Sequence, residues 1–336
     1  MKTLIIFSSI YYLAMLVRNL FYNWRILKAH SLNARVISIG NVTWGGTGKT
    51  PLTAFMANLL LGRGLRPVIL SRGYGNDEEA LLSRLAPGVR VLAGKDRVKS
   101  GKEAIEKFSA KTLLLDDGFQ YRRLKRDLDI ICIDATNPFG NDWVIPTGIL
   151  REGLGSLKRA DIFLITKINL VEDKKKLKEL EARLGKINPG AVIVKSIHNP
   201  QYFYKLADDK IVDGARLRNK DIVLVSAIGN PSSFEKTILS LGLNIKKHFI
   251  FRDHHWYKEK DLKKIDSYCN KNNIDTIVTT EKDAVRLRAS SLEPRASIRA
   301  SSIKHRASMF LVLRIQLELT DNVQGFNNRF SGIYNS

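Results

Sequence analysis

The chain has 336 residues, 55 of them Lys or Arg against 33 Asp or Glu, for a net charge of +22. That length holds two modest domains, and 44% hydrophobic residues is ordinary for a soluble globular protein. Cys132 and Cys269 stand far apart, which excludes a disulfide framework or a cysteine metal site and fits a reduced, cytosolic compartment; the basic excess points to an anionic counterpart, whether nucleic acid, a phospholipid surface or a phosphorylated substrate.

The first segment, "TLIIFSSIYYLAMLV" (3–17), carries no charge but is shorter than the ~20 residues that span a bilayer. Lys2 stands where the basic end of a signal peptide would be, yet no small-x-small cleavage site follows. Arg18, Arg25, Lys28 and Arg35 come next, interleaved with Phe21, Tyr22 and Trp24, and no acidic residue occurs before Asp77. This combination suits a helix lying in the headgroup region of a membrane surface; a core helix or a short anchor is the alternative. Residues 1–35 are set apart as that membrane-associated helix.

From 36 to 195 strands and helices alternate. "VISIG" (36–40), "PVILSRG" (67–73), "TLLLDDG" (112–118), "LDIICID" (128–134), "DIFLIT" (161–166) and "AVIVK" (191–195) are short apolar runs, the pattern of a parallel sheet covered on both faces. "TAFMANLLL" (53–61) is the helix after the first strand, with Pro51 in its first turn and Gly62 and Gly64 closing it. "VEDKKKLKELEARLG" (171–185) is an exposed, charged helix. The turn-rich 196–220 reads as a two-stranded hinge. A second α/β domain spans 221–336, with strands expected in "DIVLVS", "KKHFIF" (246–251), "DTIVTTEKD" (275–283) and "FLVLRIQLEL" (310–319). Within it, 288–308 repeats Arg-Ala-Ser without a core pattern and reads as a surface insertion. The predicted fold class is α/β: a P-loop NTPase-type parallel sheet sandwiched by helices, and a second, smaller α/β domain joined by a two-stranded linker.

The chemistry begins at "GNVTWGGTGKTP" (40–51). A strand, a Gly-rich turn and a helix N-terminus aim backbone N–H groups and the positive end of the helix dipole at a phosphate. The expected cradle is Thr43, Trp44, Gly45, Gly46, Thr47, Gly48, Lys49 and Thr50, with Lys49 reaching the β- and γ-phosphates and Thr50 holding Mg²⁺. Thr43 stands where the generic motif has glycine, so its φ should be negative. "LLLDDG" puts Asp116 and Asp117 at a strand C-terminus, like a Walker B pair; either can hold the metal while the other bonds Thr50 or orients substrate. Arg72, Arg97 and Arg151 fall at strand ends or in loops, where guanidinium forks pair with phosphate oxygens, and Glu152 is a further candidate contact to metal or site. "ITKIN" (165–169) is similar to the base-reading loop of GTPases, but Asn169 stands in place of its Asp, and a plain strand end is the better reading.

"SRGYG" (71–75), "DDGFQYRRL" (116–124), "DLDIICIDATNPFGN" (127–141), "GILREG" (148–153), "AIGNP" (227–231), "DHHWY" (253–257) and "TTEKDA" (279–284) follow the P-loop in order. Together they closely resemble the tetraacyldisaccharide 4'-kinase family, from the N-terminal helix to about Leu287 and again from Met309. Thr43 is normal in that family. The resemblance implies ATP and Mg²⁺ as cofactors and a glycolipid acceptor, tetraacyldisaccharide 1-phosphate, converted to lipid IVA. It implies a peripheral or monotopic monomer at the cytoplasmic face of the bacterial inner membrane, with no nucleic-acid partner, and an active site in the cleft between two domains. The catalytic base it implies is Asp77, with Glu78 as the fallback because the chain is shortened after "SRGYG", paired with His254 of the second domain. A membrane-associated P-loop GTPase or ATPase driving conformational work is the alternative; it leaves Asp77 and His254 without a role.

Overall fold

The computed structural model describes residues 2–73, 76–292 and 309–335. The chain forms two compact units, Met1–His198 with Leu317–Ser336, and Asn199–Gln316. In the first, α1 (Lys2–Asn23) precedes β1 (Arg35–Gly40), α2 (Lys49–Gly62), β2 (Pro67–Ser71), α3 (Asn76–Leu85), β3 (Arg90–Ala93), α4 (Arg97–Phe108), β4 (Thr112–Asp116), β5 (Leu128–Asp134), β6 (Ile162–Thr166), α5 (Lys174–Ile187) and the first half of β7 (Val192–Lys205). The strands are parallel, in the order β7-β6-β5-β1-β4-β2-β3. Strands β2, β4, β5 and β6 are buried at every position, which is why they read as predominantly apolar rather than alternating runs. β1 is central, with Ile39 opposite Asp116 of β4 and Gly40 opposite Ile131 of β5. This register brings the P-loop and the acid pair to one edge of the sheet, where ligands bind in open α/β folds.

Leu52, Met56 and Leu60 recur every fourth residue on α2 and are buried against Ile37, Ile39 and Leu114. Each such side chain contributes about 1.5–3 kcal/mol by burial. The same core takes in Phe326 and Phe330 of α9 (Val323–Gly332), stacked with centroids 6.1 Å apart. Residues 317–336 therefore belong to the first unit, which corrects the expected assignment of all of 221–336 to the second.

The second unit holds the end of β7, β8 (Ile211–Val212), β9 (Asp221–Ser226), α6 (Pro231–Ser240), β10 (Asn244–Ile250), α7 (Glu259–Lys271), β11 (Ile277–Thr280), α8 (Glu281–Leu292) and most of β12 (Phe310–Asp321). Its sheet is parallel in the order β10-β9-β11-β12, and β8 pairs antiparallel with the end of β7 through Phe203–Val212 and Tyr204–Ile211. The chain passes between the units within β7 and again within β12. The strand expected at 275–283 stops at Thr280, because the Thr280 hydroxyl and Asp283 cap the start of α8, Oγ1 donating to Oδ2 at 2.7 Å. The Arg-Ala-Ser segment begins within α8; its remainder, 293–308, lies outside the described residues.

α1 is amphipathic in the reverse sense of a water-facing helix. Ser8, Tyr11, Arg18 and Asn19 all hydrogen-bond the first unit. Ile6, Phe7, Ile10 and Leu13 on the other face are 59%, 58%, 60% and 59% exposed. The helix extends past the uncharged run because Arg18 and Asn19 find partners on the inward face. Thr3–Asn23 contains an 18-residue stretch of mean hydropathy 1.7, so by length and composition alone the helix is long enough to cross a bilayer.

Candidate active site

The P-loop joins β1 to α2. Gly48 caps α2 with φ +92°, and a Cβ there would come within 2.9 Å of His198 Nε2. Gly45, at φ +117°, is the other position that demands glycine. Thr43 instead makes an antiparallel bridge with Leu150, extended pairing that a β-branched residue favours, and Trp44 N donates to Ile149 O at 2.6 Å.

A buried brace holds the loop from behind. Lys167 Nζ donates to Gly46 O at 2.6 Å and to Asp134, while Thr166 Oγ1 donates to Thr47 O at 2.9 Å. Burial lowers the Lys167 pKa and Asp134 opposes that shift. His198 packs against Gly48; burial, helped by the Lys167 charge, pushes it down to about 3, so its ring is neutral. With Gly46 O and Thr47 O engaged from behind, Lys167 and Thr166 fix the backbone of the loop where it enters α2. Lys167 thus has a task that the sequence reading of "ITKIN" as a strand end missed. In a Lys167→Met/Asp134→Asn double variant, which strands no buried carboxylate, KM for ATP is expected to rise about tenfold or more with kcat at saturating ATP nearly unchanged. Steady-state kinetics check it, and an unaltered KM would contradict the brace.

The acid pair splits in environment. Asp116 is buried, and its Oδ1 accepts from Thr53 Oγ1 at 2.7 Å. Thr53, one turn beyond Thr50, therefore makes the bond that was expected of Thr50. Burial raises the Asp116 pKa, Thr53 opposes this, and the Asp117 charge adds to it. Asp117, at φ +50°, receives Arg151 Nη1 at 2.9 Å on both oxygens and Lys49 Nζ at 3.4 Å. Its burial acts upward, but Lys49 and Arg151 outweigh it and hold the carboxyl well below the usual carboxylate range.

The other predicted residues separate. Arg151 also donates its backbone N–H to Val42 O at 2.8 Å, tying it to the start of the P-loop. Asp96 caps α4, and the next residue, Arg97, is buried with Nη2 on Asp116 O at 3.1 Å and its guanidinium over Tyr121. Arg97 thus supports the end of β4. Arg72 follows β2, is exposed, and places like charge beside Arg97. Thr50 is half-buried in the first turn of α2; Asp77 is buried and Glu78 half-buried in the first turn of α3. Glu152 departs from expectation. Its Oε1 accepts from Arg18 at 3.2 Å, and its Oε2 accepts from Asn19 at 3.1 Å and Arg159 at 2.8 Å. Both oxygens accept bonds that anchor α1 and Arg159.

In the second unit, three of the quoted motifs converge on His254. His254 has φ +62°, its N–H reaches Ala227 O at 3.3 Å, and its ring nitrogens face Lys282 Nζ at 3.1 Å and Arg286 Nη2 at 3.4 Å. Behind it, buried Asp283 accepts from Ala227 N, Tyr257 Oη and Thr280 Oγ1, and pairs with buried Arg286 at 3.4 Å. "TTEKD" thus holds the histidine loop.

Phosphate recognition at the start of α2, with a buried acid one strand away, places the first unit in the P-loop class of phosphoryl-transfer proteins. Within that class the chain belongs to the tetraacyldisaccharide 4'-kinase family: the model of Tetraacyldisaccharide-1-P 4'-kinase matches residues 1–330. It is similar to the tetraacyldisaccharide 4'-kinase of Syntrophus aciditrophicus, 37% identical over 312 residues, covering 84% of this chain and 83% of that one. The enzyme of Halothermothrix orenii is 34% identical, covering 95% and 89%. Among solved structures it is similar to LpxK from Aquifex aeolicus in complex with ATP, with a TM-score of 0.70 and 26% identity over 99% of this chain and 98% of that chain. The protein is an ATP-dependent phosphotransferase acting on the 4'-hydroxyl of the tetraacyldisaccharide 1-phosphate in lipid A biosynthesis, and the conformational GTPase or ATPase alternative is not favoured.

Proposed function

We propose that Asp77 is the general base that takes the proton of the 4'-hydroxyl, that His254 assists it, and that Lys49 and Arg151 stabilise the transferring phosphoryl group. The observation that carries this reading is the joint hold of Lys49 and Arg151 on Asp117: two cations converge at the N-terminus of α2, where the phosphates bind. As the sugar oxygen attacks the γ-phosphorus, the bond to the ADP oxygen breaks and the hydroxyl proton passes to Asp77. A sugar hydroxyl is a weak nucleophile, so a positioned carboxylate is worth about 10²–10⁴ in rate. Glu78, on the same turn, is the second choice of base. Arg97 acts indirectly, holding the Asp116 carbonyl, and Arg72 supplies positive charge beside it.

Thr50 and Asp116 are the residues we assign to Mg²⁺. Mg²⁺ in nucleotide enzymes takes one or two carboxylates together with substrate phosphates, and among the described residues no group of three or more His, Cys, Asp or Glu forms a rival site. Asp116 suits it: burial disfavours the bare carboxylate, and a cation would offset that cost. Held there, the ion would supply positive charge against the negative charge that develops on the transferring phosphate.

We further infer that α1 lies in the cytoplasmic leaflet of the inner membrane, its apolar face in lipid. In an Ile6→Asn/Phe7→Asn/Ile10→Asn/Leu13→Asn variant, co-sedimentation with phospholipid vesicles is expected to fall at least tenfold, since burying each of these side chains contributes about 1.5–3 kcal/mol. Vesicle binding equal to the wild type would refute this placement.

A further inference from the structure

The inward face of α1 makes contacts that a membrane anchor does not need. Tyr11 Oη donates to Arg151 O at 2.8 Å, and Arg18 Nη2 donates to Gln120 O at 2.9 Å as well as to Glu152. Arg122 Nη1 returns a bond to Asn19 O at 2.9 Å. Gly153 lies so close to α1 that an added Cβ would meet the Tyr12 ring at 2.5 Å. The two loops held in this way are the two that build the phosphate site. Gln120 Nε2 donates to Asn41 O at 2.8 Å, Arg151 N donates to Val42 O at 2.8 Å, and the Arg151 side chain reaches Asp117. An unbroken chain of direct contacts thus runs from α1 through Glu152, Arg151 and Asp117 to Lys49.

We propose that Tyr11 and Arg18 of α1 are positioning residues for phosphoryl transfer: they set the backbone of Arg151 and Gln120, and through it the Arg151 guanidinium, independently of how the helix meets lipid. The geometry favours this over anchoring alone because the polar residues of α1 bond backbone carbonyls of the very residues that touch the P-loop. A surface helix serving only as an anchor would need apolar packing and no such addressed bonds. The proposal rests on the assignment of Arg151 to the transferring phosphate.

The test uses full-length protein and glycolipid dispersed in detergent micelles, so that vesicle binding is not limiting. Tyr11→Phe and Arg18→Met are each expected to lower kcat about fivefold or more, since ångström-scale displacement of a catalytic group costs up to about 10²-fold. KM for the lipid and vesicle co-sedimentation should stay at wild-type values. The outward-face quadruple variant should show the opposite split, with vesicle binding lost and kcat at saturating micellar substrate retained. Tyr11→Phe removes a single hydroxyl and keeps the test valid if Arg18→Met proves unstable by thermal unfolding. Wild-type kcat in Tyr11→Phe, or losses in both variants that appear only in lipid KM, would overturn the proposal. An Arg151→Met variant with full activity would instead refute the underlying assignment, so the two failures are distinguishable.

Discussion

Replacing Asp77 by Asn is expected to lower kcat for transfer to the glycolipid by about 10²–10⁴-fold while ATP binding changes little. Asn keeps the size of the side chain in the first turn of α3 but cannot accept the hydroxyl proton. Equilibrium ATP binding and single-turnover transfer together isolate this effect. Equal losses in binding and turnover would count against the base role, and a full loss in Glu78→Gln with activity kept in Asp77→Asn would move the role to its neighbour. Combining Asp77→Asn with His254→Ala should cost little more than Asp77→Asn alone, as expected when two groups act as a unit.

Arg151→Met should lower kcat/KM by about 10²–10³-fold, the usual cost of removing one preorganised charge donor from a site of developing negative charge. The structure makes a specific claim here: Arg151 and Lys49 share Asp117, so removing Arg151 leaves Lys49 as its main counter-ion and takes one cation from the phosphate site. Arg151→Lys should recover only part of the loss, because an ammonium lacks a planar fork that can hold Asp117 with one nitrogen and offer the other to phosphate. Full recovery by Lys would mean that charge alone matters and that the observed geometry does not.

What was legible in the sequence follows from the range of the interactions. β2, β4, β5 and β6 are buried throughout and declare themselves by their apolar stretches; the P-loop is a local motif whose spacing is its geometry. The segment from α3 to α4 was not anticipated, since β3 is four residues with exposed ends and α4 is mostly polar. The partners of Glu152 were hidden for a different reason. Its partner Arg18 is 134 positions away, and an acid beside a predicted catalytic arginine looks the same in sequence whether it meets a metal or a helix. Lys167 reaches Gly46 across 121 positions; the one local sign was a lysine directly after a fully buried strand, where a buried ammonium has to find partners. The return of 317–336 to the first unit rests on Phe326 and Phe330, a four-residue repeat short enough to be lost among polar neighbours.

The P-loop delivers the γ-phosphate of ATP to a sugar hydroxyl of a glycolipid. The most direct measurement incubates the purified protein with γ-labelled ATP, Mg²⁺ and tetraacyldisaccharide 1-phosphate and follows label into the lipid. Wild-type protein should leave stable label at the 4'-position, and Lys49→Ala only background levels. Label appearing only as inorganic phosphate, or equal transfer by Lys49→Ala, would contradict it.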